Sequence, residues 1–104
     1  MGKRHNREQL ITFLALSLTH KIGSRVNSDE VYSAKYRKES DAFLKKAEKI
    51  SLIENWNNQD RAGIRKMLEK RLRSELEKRD FLSEKKFDLM ADEINAVLEE
   101  IGLL

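Results

Sequence analysis

The chain has 104 residues, of which 38% are charged and 39% hydrophobic, and it contains neither proline nor cysteine. A chain of this length forms one domain and can bury a core. The composition excludes disulfides, thiolate metal sites and cysteine nucleophiles, and it indicates an ordered, helical, cytoplasmic protein. We predict a single helical domain over residues 1–104, with a flexible basic terminus at residues 1–5.

The first predicted helix spans residues 6–22 and holds the most apolar segment of the chain, residues 10–18. That segment is too short to span a bilayer, and the acidic and basic residues around it disfavour a secretory signal. Asn6 is predicted to cap the helix together with Gln9, and Gly23 to end it. Because the apolar arc covers more than half of the circumference, we expect this helix to be central in a bundle or shared with another subunit.

A polar turn leads to a second predicted helix over residues 28–52, which Asn27 and Glu30 begin as a capping box. Its apolar residues fall on one helical face: Tyr32, Tyr36, Phe43, Ala47 and Ile50. A single helix explains this spacing best. A break at Ser40-Asp41 is the alternative, because serine and aspartate favour caps over helix interiors.

Residues 54–59 are rich in asparagine and predict a loop. Within it, Trp56 either closes the end of the bundle or presents an anchor to a partner, and closure is the favoured interpretation. Asp60 is predicted to cap a third helix. The residues of that helix expected to face inward are Ile64, Met67, Leu68, Leu72 and Leu76.

Ser83 is predicted to cap a fourth helix, with Leu82 packed on Phe87, and Gly102 to end it. This helix has the cleanest apolar stripe in the chain: Phe87, Met90, Ala91, Ile94, Val97, Leu98 and Ile101. Because the connection before it is short, the third and fourth helices should be antiparallel neighbours. The predicted fold is a compact all-α bundle of four helices, or five if the second breaks, in which the last two form an antiparallel hairpin.

The net charge of +3 is unevenly distributed along the chain. Residues 61–79 hold eight basic and three acidic residues, whereas residues 80–104 hold two basic and seven acidic ones. The favoured interpretation is that the two helices complement each other and need no outside ligand. Within the third helix, Glu69 with Arg73 and Glu75 with Arg79 also have the spacing of stabilising ion pairs.

The alternative interpretation is a nucleic-acid interface, because a row of cations at helical spacing can follow a phosphate backbone. Its candidate residues lie on the third helix and at the amino terminus: Arg65, Lys66, Lys70, Arg73, Lys3, Arg4 and Arg7. The row lacks aromatic residues on which bases could stack.

No motif for catalysis, cofactor binding or metal binding emerges from the sequence. His20 has no carboxylate or second histidine three or four residues further on, His5 has only Glu8 at that spacing, and the four glycines are isolated. We therefore predict a protein that is not an enzyme, has no cofactor and no metal, and takes no evident small-molecule substrate.

The remaining candidate site is a protein-binding surface. Leu89, Ala96 and Leu103 repeat every seven residues on the side of the fourth helix away from its apolar stripe. Phe13 and Leu16 widen the apolar arc of the first helix, and Trp56 completes the set. We predict a helical interaction module that binds itself or another subunit, does not bind membranes, and has nucleic-acid binding as its alternative function.

Overall fold

The structure, a computed structural model, describes residues 2–27 and 29–104, and every regular element in that part of the chain is a helix. The helices are α1 (Lys3–Val26), α2 (Glu30–Ser51), α3 (Asn58–Glu77), α4 (Lys85–Asp88) and α5 (Met90–Glu100). The predicted all-α bundle is confirmed. The second helix is continuous, so the fifth helix does not come from a break in it. It comes from a break at Leu89, in the predicted fourth helix.

α1 is the central helix of the bundle. It packs against each of the other four helices, whereas α2 packs against α1 alone. The most completely buried large apolar side chains lie on α1 or on α3 and α5, which pack against it: Leu10, Leu14, Leu18, Ile22, Ile64, Leu68, Leu72, Leu76 and Leu98. The wide apolar arc of the first helix is thus explained by its position. Among the described residues, no helix has an apolar stretch long enough to cross a membrane.

The start of α1 differs from the prediction. Gly2 is the N-cap, and residues 3–5, expected to be flexible, form the first turn. Asn6 lies inside the helix, where its Nδ2 donates to Glu54 Oε2 at 2.6 Å. The predicted capping box of Asn6 and Gln9 is therefore wrong, because a bond to the loop after α2 uses the Asn6 side chain.

Gly23 does not end α1, which continues to Val26. It is a buried residue facing α2, and a Cβ added to it would lie 2.5 Å from Cδ2 and 2.6 Å from Cε2 of Tyr36. The predicted C-cap at Gly23 is wrong because this glycine serves the close approach of two helices, not a left-handed turn.

α2 is capped by Asp29, which accepts a hydrogen bond from Tyr32 N at 3.1 Å, and not by Asn27 as predicted. The helix continues through Ser40, so the alternative of a break there is wrong. Ser40 Oγ donates to Ser17 O at 2.7 Å, and Ser17 Oγ donates to Ser40 O at 2.9 Å. These reciprocal bonds satisfy both hydroxyls inside the contact between α1 and α2.

α3 begins with a capping box in which Asn57 is the N-cap and Asp60 is its partner. Asn57 Oδ1 accepts from Asp60 N at 2.8 Å, and Asp60 Oδ2 accepts from Asn57 N at 3.0 Å. The N-cap therefore lies three residues before Asp60, which was predicted to be the cap. Four of the five predicted inward residues are fully buried, whereas Met67 is 41% exposed.

The last part of the chain forms the predicted antiparallel hairpin. Arg65 donates to Asn95, and the guanidinium of Arg73 lies 5.9 Å from the centre of the Phe87 ring. Residue numbers along α3 therefore increase in the direction in which those along α4 and α5 decrease, so α3 is antiparallel to both. The predicted fourth helix is interrupted at Leu89, whose φ of −89° and ψ of −10° separate α4 from α5.

The connection between α3 and α4 is held by a buried lysine. Lys86 is 2% exposed, and its Nζ donates to Arg79 O at 2.7 Å, just beyond the end of α3. The prediction of Ser83 as N-cap is wrong by one residue: α4 starts at Lys85, its N-cap is Glu84, and the Ser83 hydroxyl accepts from Lys85 N at 3.2 Å.

Candidate protein-interaction face

His20 joins α1 to α2 as a structural residue. Its Nδ1 lies 2.8 Å from Leu16 O and its Nε2 lies 2.9 Å from Glu39 Oε2. Its ring also packs against the rings of Tyr36 and Phe43. In the part of the chain described, no three His, Asp or Glu side chains converge as metal ligands.

The basic residues at the amino terminus already have partners within the molecule. Lys3 Nζ lies 2.6 Å from Asp60 Oδ2, and Arg4 Nε lies 3.5 Å from Glu8 Oε1. The hydrogen bond from Lys3 is the main reason that the pKa of the Asp60 carboxyl lies below its ordinary value. Arg7 is half-buried, and its Nε has no hydrogen-bond partner. Two of the three predicted basic residues at the amino terminus, Lys3 and Arg4, are therefore paired with carboxylates.

On α3, the predicted basic row is exposed and largely free of carboxylates. Within residues 2–27 and 29–104, Lys66, Lys70 and Arg73 form no ion pair. The predicted pair of Glu69 with Arg73 does not form, because the Arg73 guanidinium lies over the Phe87 ring. All three cations are exposed, but Arg73 lies beside α4, whereas Lys70 lines a cavity between α1 and α3 together with Glu8, Thr12 and Met67.

Glu75 is the carboxylate that does form ion pairs on α3. Arg79, Arg71 and Lys78 lie 3.3, 3.5 and 3.7 Å from its oxygens. Burial alone would raise the pKa of the Glu75 carboxyl, but the hydrogen bonds and charges of these cations outweigh it and hold the pKa below its ordinary value. The predicted pair with Arg79 is present within this larger group.

The acidic residues of α4 and α5 do not neutralise the basic row. Glu93, whose side chain is 5% exposed, turns toward α1 and lies 3.2 Å from both Lys21 Nζ and Arg25 NH1. Four other carboxylates are exposed and, in the described part of the chain, unpaired: Asp88, Asp92, Glu99 and Glu100. The predicted neighbours are adjacent, but the expected compensation through direct contacts is absent, because each row points outward.

An apolar strip separates the two charged rows. It lines a shallow cavity of about 150 Å³ between α3 and α5, formed by Phe87, Met90, Ala91 and Ile94 with Arg65, Glu69 and Arg73. Ala91 is exposed and Phe87 is half-buried. We call the surface around this cavity the hairpin face, and it consists of Lys66, Arg73, Phe87, Ala91, Asp92 and Glu99.

The six residues predicted to bind a partner do not form one surface. Trp56 and Leu103 are 8% and 4% exposed, and Trp56 Nε1 donates to Ser51 O at 2.9 Å. Leu103 points inward because Gly102, with φ of 77°, reverses the chain after α5. Two of the six therefore belong to the core, and the seven-residue repeat does not make a stripe.

The other four predicted residues lie at separate places. Phe13 and Leu16 are half-buried on α1, and the Phe13 ring stacks on Phe43 at 6.4 Å. Leu89 is half-buried at the break between α4 and α5. Ala96 is exposed and lines a different cavity, of about 310 Å³, between α1, α2 and α5.

Sequence reasoning missed the acidic half of the hairpin face. Its signal is the spacing of Asp92, Asn95 and Glu99 by three and four residues, which places them on one side of α5. The net negative charge of this segment predicts compensation for α3, but it does not say which carboxylates would lie beside the cations of that helix.

No family of known proteins matches this chain, and neither the curated proteins nor the solved structures include a significant match to it.

Proposed function

We propose that this chain is a cytoplasmic, non-catalytic interaction module that self-associates through the hairpin face. One observation carries the proposal: the exposed cations Lys66 and Arg73 and the exposed carboxylates Asp92 and Glu99 flank an apolar cavity at which Ala91 is exposed and Phe87 half-buried. Protein surfaces that bind other proteins combine an apolar centre with charges that set orientation. The surface used differs from the one predicted on the fourth helix, because Leu103 is buried.

The mixed charge favours a protein partner over a polyanion. Nucleic acid would be attracted by Lys66 and Arg73 but would meet Asp92 and Glu99 on the same face. A protein surface can offer both signs of charge together with an apolar contact. A second copy of this chain offers that combination by construction.

The proposal is tested by the mass of the protein in solution. Sedimentation equilibrium over a range of protein concentrations should show a mass above 12.2 kDa that falls when salt is raised from about 0.1 M to about 1 M. Ala91→Arg places a bulky cation on the strip and should shift the equilibrium toward monomer. Ala34→Arg, on the exposed side of α2, is the matched control and should not. A wild-type chain that is monomeric at all concentrations refutes self-association.

Nucleic-acid binding is the second candidate, because Lys66 and Lys70 have no ion pair in the described part of the chain. Asp92→Lys distinguishes the two functions. It should weaken self-association if the hairpin face binds protein, and strengthen retention of a short DNA duplex if the basic row binds phosphates. Binding of the wild-type chain to the duplex that weakens with salt, and weakens further in Lys66→Ala/Lys70→Ala, would favour this second function.

A further inference from the structure

We infer that the cleft between α1, α2 and α5 binds a small zwitterion of dipeptide length. α1 forms the floor of this cleft, and α2 and α5 form its walls, which do not contact each other in the described part of the chain. Its volume of about 310 Å³ is at the lower end for small-molecule sites. No sequence motif marks the cleft, because its residues come from three separate helices. The inference goes beyond the proposed function, since no residue of the cleft belongs to the hairpin face.

Three charged side chains on the walls of the cleft are free to meet a ligand. Arg37 and Asp41 of α2 and Glu100 of α5 are exposed and form no ion pair within residues 2–27 and 29–104. Arg37 and Asp41 are one helical turn apart, but the basic residue comes first, which is the weaker orientation for such a pair. The two opposite charges therefore line the cleft side by side without neutralising each other.

One end of the cleft has an excess of positive charge. Lys21 and Arg25 line it from α1, and both lie 3.2 Å from oxygens of the same buried carboxylate, Glu93. Two cations thus share one anion. Arg37 adds a further positive charge from α2, because Ser24 and Arg37 also line a neighbouring cavity together. We call Lys21, Arg25 and Arg37 the basic end of the cleft.

The carboxylate on the α2 wall lies toward the opposite end. Ser17 of α1 and Ser40 of α2 exchange hydrogen bonds, and Gly23 of α1 lies against Tyr36 of α2, so the two helices are antiparallel. Asp41 follows Ser40 and therefore stands near the height of Ser17. Arg37 is four residues away, which is about 6 Å along the helix.

The carboxylate on the α5 wall lies at the same end as Asp41. Val26 and Leu89 line one cavity, and Arg25 contacts Glu93, so α5 runs antiparallel to α1 and away from the end of that helix. Glu100 is seven residues beyond Glu93, which is about 10 Å along α5. We call Asp41 and Glu100 the acidic end of the cleft.

This separation of charge selects the class of ligand. A simple anion would be attracted by the basic end but repelled by Asp41 and Glu100, and a simple cation would meet the reverse. A zwitterion satisfies both ends. A single amino acid carries both charges on one Cα, whereas two extended residues span about 7 Å, close to the distance between the ends. The apolar residues between the ends can contact the side chains of such a dipeptide: Leu18, Leu44 and Val97.

A bound dipeptide would join the two walls of the cleft. Its carboxylate would accept from Arg37 on α2, and its ammonium group would lie between Asp41 on α2 and Glu100 on α5. α2 is otherwise attached to α1 alone. Because the ligand binds only when both walls are in place, it should slow amide exchange in α2 more than in α3.

The inference is tested by titrating the ¹⁵N-labelled full chain with alanyl-leucine and following its amide resonances. A ligand of this size should bind with a dissociation constant of about 1 mM or below. The shifted amides should belong to α1, α2 and α5. Arg37→Gln, and separately Asp41→Asn/Glu100→Gln, should raise the dissociation constant about tenfold, because each removes the partner of one charged group. Matched controls on exposed positions of α2 outside the cleft, Lys38→Gln and Glu48→Gln, should leave it unchanged.

Blocked dipeptides assign each charge to its end of the cleft. Amidation of the carboxylate should weaken binding to the wild-type chain, and Arg37→Gln should then cause no further loss. Acetylation of the amine should weaken binding likewise, with no further loss in Asp41→Asn/Glu100→Gln. The absence of shifts at about 10 mM dipeptide, tenfold above the expected constant, overturns the inference. Equal binding of a dipeptide blocked at both ends, or tighter binding of inorganic phosphate to the same amides, also overturns it. A monomeric wild type refutes the proposed function and leaves this site untouched.

Discussion

Replacing Gly23 by alanine gives a sharp test of the packing between α1 and α2. In the interior of an exposed helix, glycine to alanine stabilises by about 1 kcal/mol through helix propensity. At Gly23 the new methyl group would lie 2.5 and 2.6 Å from two carbons of the Tyr36 ring. Real methyl groups do not approach so closely, so the ring or the helix has to move.

The Tyr36 ring has little freedom to move away. Its centroid lies 5.1 Å from that of His20, and its hydroxyl lies 3.2 Å from that of Tyr32. Overpacking of a well-packed site costs about 1–3 kcal/mol. After the gain in helix propensity is subtracted, we expect Gly23→Ala to lower the free energy of unfolding by about 0–2 kcal/mol.

Gly63→Ala is the matched control, because no atom lies within 4 Å of a Cβ added there in α3. It should raise the free energy of unfolding by about 0.5–1 kcal/mol. Urea unfolding followed by the fluorescence of Trp56, the single tryptophan, measures both variants. Combining Gly23→Ala with Tyr36→Leu should cost less than the sum of the two single changes. If Gly23→Ala is as stable as Gly63→Ala, the argument from close approach is refuted.

Three further predictions concern buried or shifted charges. Glu93→Gln should lower the free energy of unfolding by about 1–2 kcal/mol, because two cations lose their shared carboxylate, whereas the exposed Glu100→Gln should change it by less than about 0.5 kcal/mol. Because the pKa of Glu75 is lowered in the folded protein, the ionised carboxylate contributes fully to the free energy of unfolding above the ordinary glutamate value of 4.5. This contribution is lost as the pH falls through the folded pKa. In urea unfolding, the difference in stability between wild type and Glu75→Gln should therefore shrink at about pH 3. Burial, together with the Tyr32 hydroxyl, raises the pKa of Tyr36 from 10.0 to about 12. The free energy of unfolding should therefore fall between pH 10 and about pH 12. An absorbance titration of tyrosinate should show a step at high pH that is missing in Tyr36→Phe.

The fold class could be predicted because apolar spacing survives wherever a helix is packed. The stripes of the third and fourth helices identified Ile64, Leu68, Met90 and Ile94 as core residues, and these are buried. Helix ends were less predictable. A capping residue is recognised in the sequence from its neighbours alone, whereas its role in the fold also depends on residues distant in the chain. Gly23 has the local features of a helix end, but its role depends on a tyrosine thirteen residues away in the chain.

The candidate site could be predicted only in part. The basic row on α3 follows from the spacing of Lys66, Lys70 and Arg73, and the structure leaves it exposed. The absence of direct pairs with α5 could not be predicted, because the sequence gives the charge of a helix but not the direction in which each carboxylate points. Leu103 shows the same limit, since one left-handed glycine turns a repeat position into the core.

The attachment of α2 to α1 alone has a consequence for motion. That contact is the most extensive between any two helices, and Tyr36, Ala47 and Ile50 of α2 are buried. α2 makes no helix contact other than this one, so we expect it to open as one unit while the other helices stay packed. Its amide protons should exchange with solvent through partial opening while those of α3 wait for global unfolding. The bundle thus consists of four helices that contact one another and a fifth, α2, that is joined to them only through α1.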